Sequence, residues 1–298
     1  VLADRTLDFL KSANVSLVAV DEAHCISAWG HDFRPEYRGL RLLKEAFPNV
    51  GVHAYTATAS EQVRQDIAEQ LGLESPAMLV GSFDRPNLVY RLRPGTNKFP
   101  QICEIIQRHR NASGIVYCIS RKEVDRAADS LCKLGHRAAP YHAGMSDQDR
   151  HDNQEAFIEE RIDVIVATVA FGMGIDKSNV RYVIHAGMPK SLEHYQQESG
   201  RAGRDGLEAE CWLFHSGSDT IMWKRMLDKS EPAAREGAMR ALDAMESFCK
   251  GVECRHRAIV RYFGQELDAE NCGACDVCLS ELDHVPDPFV LSQKILSC

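Results

Sequence analysis

The sequence predicts an α/β protein with an all-helical region behind it, and three observations carry that prediction. Short apolar runs alternate with stretches of helical period from Val15 to His185. The alternation breaks once, at Phe83-Asp84-Arg85-Pro86-Asn87, and then resumes. From Ser216 onward helical spacing takes over and leads into a cluster of cysteines. Such alternation argues for two parallel-sheet units covered by helices on both faces.

Taken in order, Val15 to Val20 reads as a buried strand with Asp21-Glu22-Ala23-His24 at its carboxyl end, where open α/β sheets bind ligands. Pro35 to Phe47 reads as a helix, and Gly51 to Tyr55 as a short strand running into Thr56-Ala57-Thr58-Ala59. Glu61 to Leu71 is an amphipathic helix with Val63, Ile67, Ala68 and Leu71 on one face. In the second unit, helices are expected over Phe99–Arg108, Arg121–Leu134 and Asp147–Ile158. Strands are expected over Gly114–Cys118, Ala138–Tyr141, Val164–Thr168 and Val180–His185. Helices follow over Asp219–Leu227, Pro232–Phe248 and Arg255–Phe263, and Asp283 to Pro288 reads as a linker. The chain opens mid-helix in character and stops in an uncapped apolar run, so both ends read as cut and the first unit as lacking its beginning.

With 298 residues, 44% hydrophobic and 26% charged, the composition is that of an ordinary soluble protein. The most apolar stretch, Val164 to Ile175, is too short for a bilayer and is broken by Gly172 and Gly174, and no signal segment opens the chain. Seven of the 11 cysteines are scattered, several of them in apolar surroundings, as reduced cytosolic thiols are. A net charge of -8 leaves any DNA contact to local basic patches.

Four segments carry chemistry. Between Gly200, Gly203 and Gly206, Arg201 and Arg204 stand at i and i+3 and can point the same way on a helical turn. Two planar guanidiniums suit a polyphosphate, the alternative being a solvated surface pair. Asp21-Glu22 after an apolar strand suits a magnesium ion beside a nucleotide, the alternative being solvated strand-end acids. The loop Cys25 to Arg34 carries Trp29, His31, Phe33 and Arg34, which make a stacking platform for bases if Trp29 is exposed and core if it is not. Finally, Cys272, Cys275 and Cys278 are two consecutive Cys-x2-Cys steps, a metal-binding signal. Cys249 and Cys254 both stand near enough for the fourth thiolate, on helix faces roughly 140° apart, with His256 and His284 as weaker candidates.

These segments together resemble RecQ-family DNA helicases. Asp21-Glu22-Ala23-His24 running into Cys25 through Tyr37 looks like the family's Walker B motif and aromatic-rich loop. Thr56 to Ala59 resembles motif III, Phe83 to Asn87 the segment joining the motor lobes, and Tyr117-Cys118 with Ser120-Arg121 motif IV, with Ile119 where a polar residue is expected. Tyr141 to Gly144 and Val166 to Lys177 resemble motifs IVa and V, and Gln196 to Gly206 resembles motif VI.

The resemblance implies two RecA-like parallel-sheet lobes, the first one incomplete, followed by a helical zinc-binding subdomain. The divisions would be 1–82, 83–215 and 216–283, with 284–298 a linker and the start of a winged-helix domain. It implies ATP, Mg2+ and Zn2+ as cofactors. Asp21, Glu22, His24, Gln197, Arg201 and Arg204 would be catalytic, Arg204 as the arginine finger. Gly174 and Asp176 would join Asp21 and the two arginines around the nucleotide, Asp176 at the ribose. Trp29, His31, Phe33, Arg34, Ser120, Arg121, His142 and Thr168 would contact DNA, as single strand and at single/double-strand junctions. Cys254, Cys272, Cys275 and Cys278 would hold a structural zinc, Cys254 matching the family pattern before Tyr262-Phe263-Gly264. A monomeric, cytoplasmic or nuclear 3′-to-5′ helicase of recombination and repair is the expected parent, without a membrane.

No Gly-x-x-x-x-Gly-Lys-Ser/Thr stands in these residues, so this stretch alone is expected to lack ATPase activity. A binding module without a motor and an RNA helicase are the competing readings. The pairing of Glu22 with Arg204 argues against the first, and the aromatic-rich loop joined to four cysteines against the second.

Overall fold

The computed structural model describes residues 4–30, 32–172, 176–228 and 232–282, together with 293, 296 and 297. Two parallel sheets organise them. In the first, α1 (Asp4–Ser12) leads to β1 (Leu17–Val20), then α2 (Arg41–Ala46), β2 (Gly51–Ala54) and α3 (Glu61–Gln70). β1 and β2 pair in parallel from Leu17↔Gly51 to Val20↔Ala54. A small core joins Val20, Ala23 and Ile26 to Val63, Ile67 and Leu71. The predicted face of α3 is therefore buried, with Ala68 at its margin.

The second sheet is larger. β3 (Leu88–Pro94) is followed by α4 (Lys98–Arg108), β4 (Ser113–Tyr117), α5 (Arg121–Lys133), β5 (Ala138–Tyr141), α6 (Asp147–Ile158), β6 (Val164–Ala167) and β7 (Val180–His185). Then come α7 (Leu192–Ser199) and β8 (Ala209–His215), and after them α8 (Gly217–Leu227), α9 (Pro232–Lys250) and α10 (Arg255–Tyr262). The strand order is β3-β8-β7-β4-β6-β5, every pair parallel. β4 and β6 are buried along their whole length, as central strands of a two-sided parallel sheet must be. One face packs α4 and α5 through Ile102, Ile105, Val124 and Leu131. The other shares a continuous core with the final helices, in which Leu88, Tyr90 and Ile115 join Leu242, Met245, Ile259 and Phe263.

Sequence expectation and structure part in three places. β3 and β8 have no counterpart among the expected strands, although β3 buries Leu88, Val89, Tyr90 and Leu92 and β8 buries Cys211 to Phe214. Charges interrupt both strands: Arg91 of β3 pairs with Glu210 of β8 at 2.9 Å and with Glu281 at 2.7 Å. β1 is half exposed where a buried strand is expected, since Leu17 keeps 51% of its surface and only Val20 is buried. The helix expected over Pro35 to Phe47 is a 3-10 turn, Pro35–Leu40, leading into the short α2. Among the described residues no helix is long and apolar enough to cross a membrane.

Candidate nucleotide site and metal centre

β1 delivers Asp21 and Glu22 at its carboxyl end. Glu22 adopts φ 48, ψ 41, a left-handed conformation that non-glycine residues take at a cost of about 1 kcal/mol or more. The Asp21 carboxylate accepts the Glu22 amide at 2.8 Å. The next four residues, Ala23–Ile26, form a buried 3-10 turn. In it His24 Nδ1 lies 3.0 Å from Thr56 Oγ1 and 3.3 Å from Glu22 Oε2. Burial pushes His24 down to about 4, so the ring is neutral at physiological pH. A neutral ring whose Nδ1 faces a carboxylate keeps its proton there. Burial, and then the neighbouring Asp21, raise Glu22 above the usual carboxylate range, opposed by Arg201 and Arg34.

The second wall comes from the other sheet. Ser191 caps α7 through the His194 amide, and three residues on Gln197 donates to Glu22 Oε1 at 3.5 Å. Arg201 is buried, 7% exposed, with its Nε lacking a hydrogen-bond partner. Gly172 stands against it: a Cβ there would come within 2.9 Å of the guanidinium. Arg204 is more open, its Nη1 3.4 Å from the exposed Asp176 carboxylate. Gly203 between the arginines has φ +55 and no room for a side chain, because a Cβ would meet Asn87 at 2.5 Å.

Two residues that the motif reading did not single out hold this loop. Arg85 donates to the carbonyls of Ala202 at 3.2 Å and Gly203 at 2.9 Å. Asn87 donates to Gly203 O at 2.8 Å and Leu207 O at 2.9 Å. The signal available in the sequence was a run of polar residues, Asp84 to Asn87, in a segment otherwise read only as a joint. The assembled geometry places two acids and an amide opposite a buried guanidinium with unused donor capacity. Such a cleft suits a polyphosphate with a divalent cation. Gly174 lies outside the described residues.

The residues expected at DNA form two groups. Ser120 with Arg121, Thr168 and His142 follow β4, β6 and β5, which are consecutive in the sheet, so they make one row along its carboxyl edge. Ser120 is the cap of α5, with the Glu123 amide 3.3 Å from its hydroxyl. His142 is buried, with Nε2 2.9 Å from Asp125 and Nδ1 accepting from the Gly144 amide. Thr168 Oγ1 accepts from the Ala170 amide at 3.4 Å, and Arg121 is exposed. In the aromatic-rich loop Trp29 is 42% exposed, which sets aside the core reading, and the Arg240 guanidinium of α9 lies 4.5 Å from its ring centroid. Phe33 is half-buried under Arg38, and Arg34 pairs with Asp32 at 2.7 Å. His31 lies outside the described residues.

The metal centre is compact. Sulfurs of Cys254, Cys272, Cys275 and Cys278 all lie within 4.8 Å of one another, whereas Cys249 stands apart, its thiol pushed up to about 12 by burial. The Ala274 amide points at Cys272 Sγ and the Cys278 amide at Cys275 Sγ, each at 3.4 Å. Amides aimed at sulfur stabilise thiolates, and Gly273 provides the φ +65 turn that this loop needs. The donor set therefore fits tetrahedral zinc. His256 is excluded as a ligand, since Nδ1 faces Asp84 at 2.6 Å and Nε2 faces the Leu88 and Ala274 carbonyls. His284 and the expected winged-helix start from Pro288 onward fall largely outside the described residues.

Residues 97–206 match the helicase conserved C-terminal domain, and residues 217–279 match the RecQ zinc-binding family. Over all 298 residues the chain is 44% identical to the ATP-dependent DNA helicase RecQ of Pasteurella multocida, covering 47% of that protein. It is 42% identical over 97% of its length to the Bacillus subtilis ATP-dependent DNA helicase RecQ, covering 49% of it. The chain belongs to the RecQ family. It spans about half the length of the curated relatives it matches.

Solved structures agree on the fold. Saccharomyces cerevisiae Dbp5 bound to RNA and ADP BeF3 superposes with a TM-score of 0.58 at 18% identity, covering 83% of this chain and 62% of that one. Mycobacterium smegmatis helicase Lhr bound to ssDNA and AMP-PNP gives 0.56 at 19% identity, covering 82% of this chain and 39% of that one. These likenesses show the fold: parallel RecA-like sheets, here followed by a helical zinc-binding region.

Proposed function

We propose that this chain is the part of an ATP-dependent DNA helicase that closes the nucleotide site from two lobes and couples it to single-stranded DNA. The observation that carries the reading is the contact between Gln197 on α7 and Glu22 after β1, 3.5 Å apart and contributed by different sheets. Catalysis in such motors rests on positioning and on charge neutralisation at the transferred phosphoryl group. Asp21 would hold the magnesium ion, which when bound supplies charge neutralisation at the phosphates. Glu22, its carboxylate raised by burial, orients the attacking water and takes up its proton. Gln197 and Arg201 bind the terminal phosphate, and Arg204 meets the charge that develops as it leaves. Asp176 lies at the ribose.

The row Ser120, Arg121, Thr168 and His142 grips strand phosphates without reading sequence, and the Trp29 loop stacks bases beside the magnesium acids. In this proposal residues 1–82 and 83–215 are the two lobes and 216–283 the zinc-binding subdomain. The protein is a monomer acting 3′-to-5′ in recombination and repair, in the cytoplasm or nucleus. These 298 residues by themselves have no DNA-stimulated ATPase, and turnover by them would sink that point.

The test of the mechanism is Arg204→Ala in a protein that also carries the family's phosphate loop. ATPase should fall by about three orders of magnitude or more with nucleotide affinity largely kept. Loss of affinity instead would make Arg204 a ground-state ligand.

A further inference from the structure

A second constellation of metal-binding atoms lies beside the magnesium acids, in the turn after β1. His24, Cys25 and Asp32 each present one ligand atom, and the three atoms lie within 4.8 Å of one another. Two of the separations are shorter. His24 Nε2 stands 3.7 Å from Cys25 Sγ, and Cys25 Sγ stands 3.9 Å from Asp32 Oδ2. Zinc bonds of about 2.0–2.3 Å meeting at tetrahedral angles put ligand atoms roughly 3.3–3.7 Å apart. The two shorter separations need shifts of a few tenths of an ångström, and the Asp32 carboxylate must swing inward to complete the triangle.

The imidazole is turned toward the thiol: its Nδ1 faces Thr56 Oγ1 and Glu22 Oε2, and its Nε2 lies 3.7 Å from Cys25 Sγ. A histidine whose far nitrogen is held by a carboxylate is the usual arrangement behind a metal ligand. His24 and Cys25 are buried and fixed by the 3-10 turn, while Asp32 is half-buried and offers a way in from solvent. Asp32 Oδ2, the oxygen near the sulfur, is the one the Arg34 guanidinium holds at 2.7 Å, so ligation turns the carboxylate to give one oxygen to the ion and the other to Arg34. Three ligands of mixed N, S and O type leave a fourth position for water and favour a thiophilic divalent cation over magnesium.

We propose that His24, Cys25 and Asp32 form a second, three-ligand site for a thiophilic divalent cation such as zinc, separate from the four-cysteine centre. Binding displaces the Cys25 thiol proton to water and forms a metal–thiolate bond, with no change of oxidation state. The bound ion ties the aromatic-rich loop, through Asp32, to the ring that faces Glu22. Occupancy would hold that loop in one position.

The test uses the chain with zinc already in its four-cysteine centre. Equilibrated with micromolar zinc and desalted, it should hold about two zinc ions per chain by elemental analysis. With cobalt(II) as the added ion, a thiolate-to-metal absorption band should grow in with about one equivalent. Cys25→Ser should remove the second equivalent and the band while keeping the first zinc. Asp32→Asn, at a more exposed position, should weaken the second equivalent at least tenfold and serves where Cys25→Ser does not fold. A chain that stops at one zinc, or a second equivalent that survives both substitutions, overturns the proposal.

Discussion

The two sheets contribute opposite walls of one cleft on very different amounts of buried structure. β4 and β6 of the six-stranded sheet are buried at every residue, whereas β1 of the two-stranded sheet buries only Val20. A pair of strands is marginal by itself, and here its core amounts to one face of α3 and the turn after β1. Among the described residues the arginine wall therefore rests on a larger buried core than the acid wall does. Glu22 and Gln197 meet across that difference, 3.5 Å apart.

The strongest way to break this contrast is to remove the metal centre. Its loop is part of the larger unit: the Tyr90 amide donates to Ala274 O at 3.1 Å, and the Asp276 amide donates to Tyr90 O at 2.9 Å. Behind it the buried Asp276 carboxylate meets Arg255 at 2.8 Å and accepts from the Leu92 amide. Chelation or Cys275→Ser should cost the six-stranded unit more than about 4 kcal/mol, seen as lost zinc and a lower Tm. An unchanged Tm would detach the metal from that unit.

Next in size is a pair of substitutions, one in each sheet. Gly114 of β4 lies against the Tyr182 ring, and a Cβ would sit 2.0 Å from it. Gly114→Ala should cost about 3 kcal/mol through forced repacking, against about 1 kcal/mol for Val18→Ala in half-buried β1. Equal costs in chemical denaturation would erase the contrast.

The smallest effect is electrostatic and sharpens the picture of the larger sheet. Burial acts against the Glu210 carboxylate, yet hydrogen bonds from His109 and Trp212 together with Arg91 hold it down at about 2. A carboxylate depressed in the folded state stabilises above its unfolded pKa and loses that contribution as pH falls through the folded one. The window is thus from about 4.5 down to about 2, and the contribution is at most about 3 kcal/mol. Glu210→Gln should flatten the stability profile over that window, and an unaltered slope would remove Glu210 from the account.

Much of this molecule was legible as sequence because its motifs are local. Asp21-Glu22, the loop after it, Arg201-x-x-Arg204 and Cys272-x2-Cys275-x2-Cys278 each sit within a short stretch with a chemical reason for its spacing. What escaped depends on distant pairing. Neither β3 nor β8 stands out as a strand, since Arg91 and Glu210 interrupt their apolar residues, and these charges find partners only when folding brings in residues as far as 190 positions away. Arg85 and Asn87 hold the arginine loop from more than 100 positions away, a relation no window of sequence displays. The fourth thiolate illustrates the middle ground: position alone left Cys249 and Cys254 open, and the fold put Cys254 in the cluster.

One feature of the metal loop bears on how the protein fails. Tyr90 and Cys275 form a bridge along the outer side of β3, the terminal strand of the large sheet. A bare strand edge is a template for pairing with another molecule. The opposite edge, β5, is short and carries Pro140, which limits such pairing. β3 is longer and has the metal loop as its cover. Stripped of zinc, molecules would stick to one another along that border before they came apart, so metal supply during synthesis would set the yield of dispersed protein.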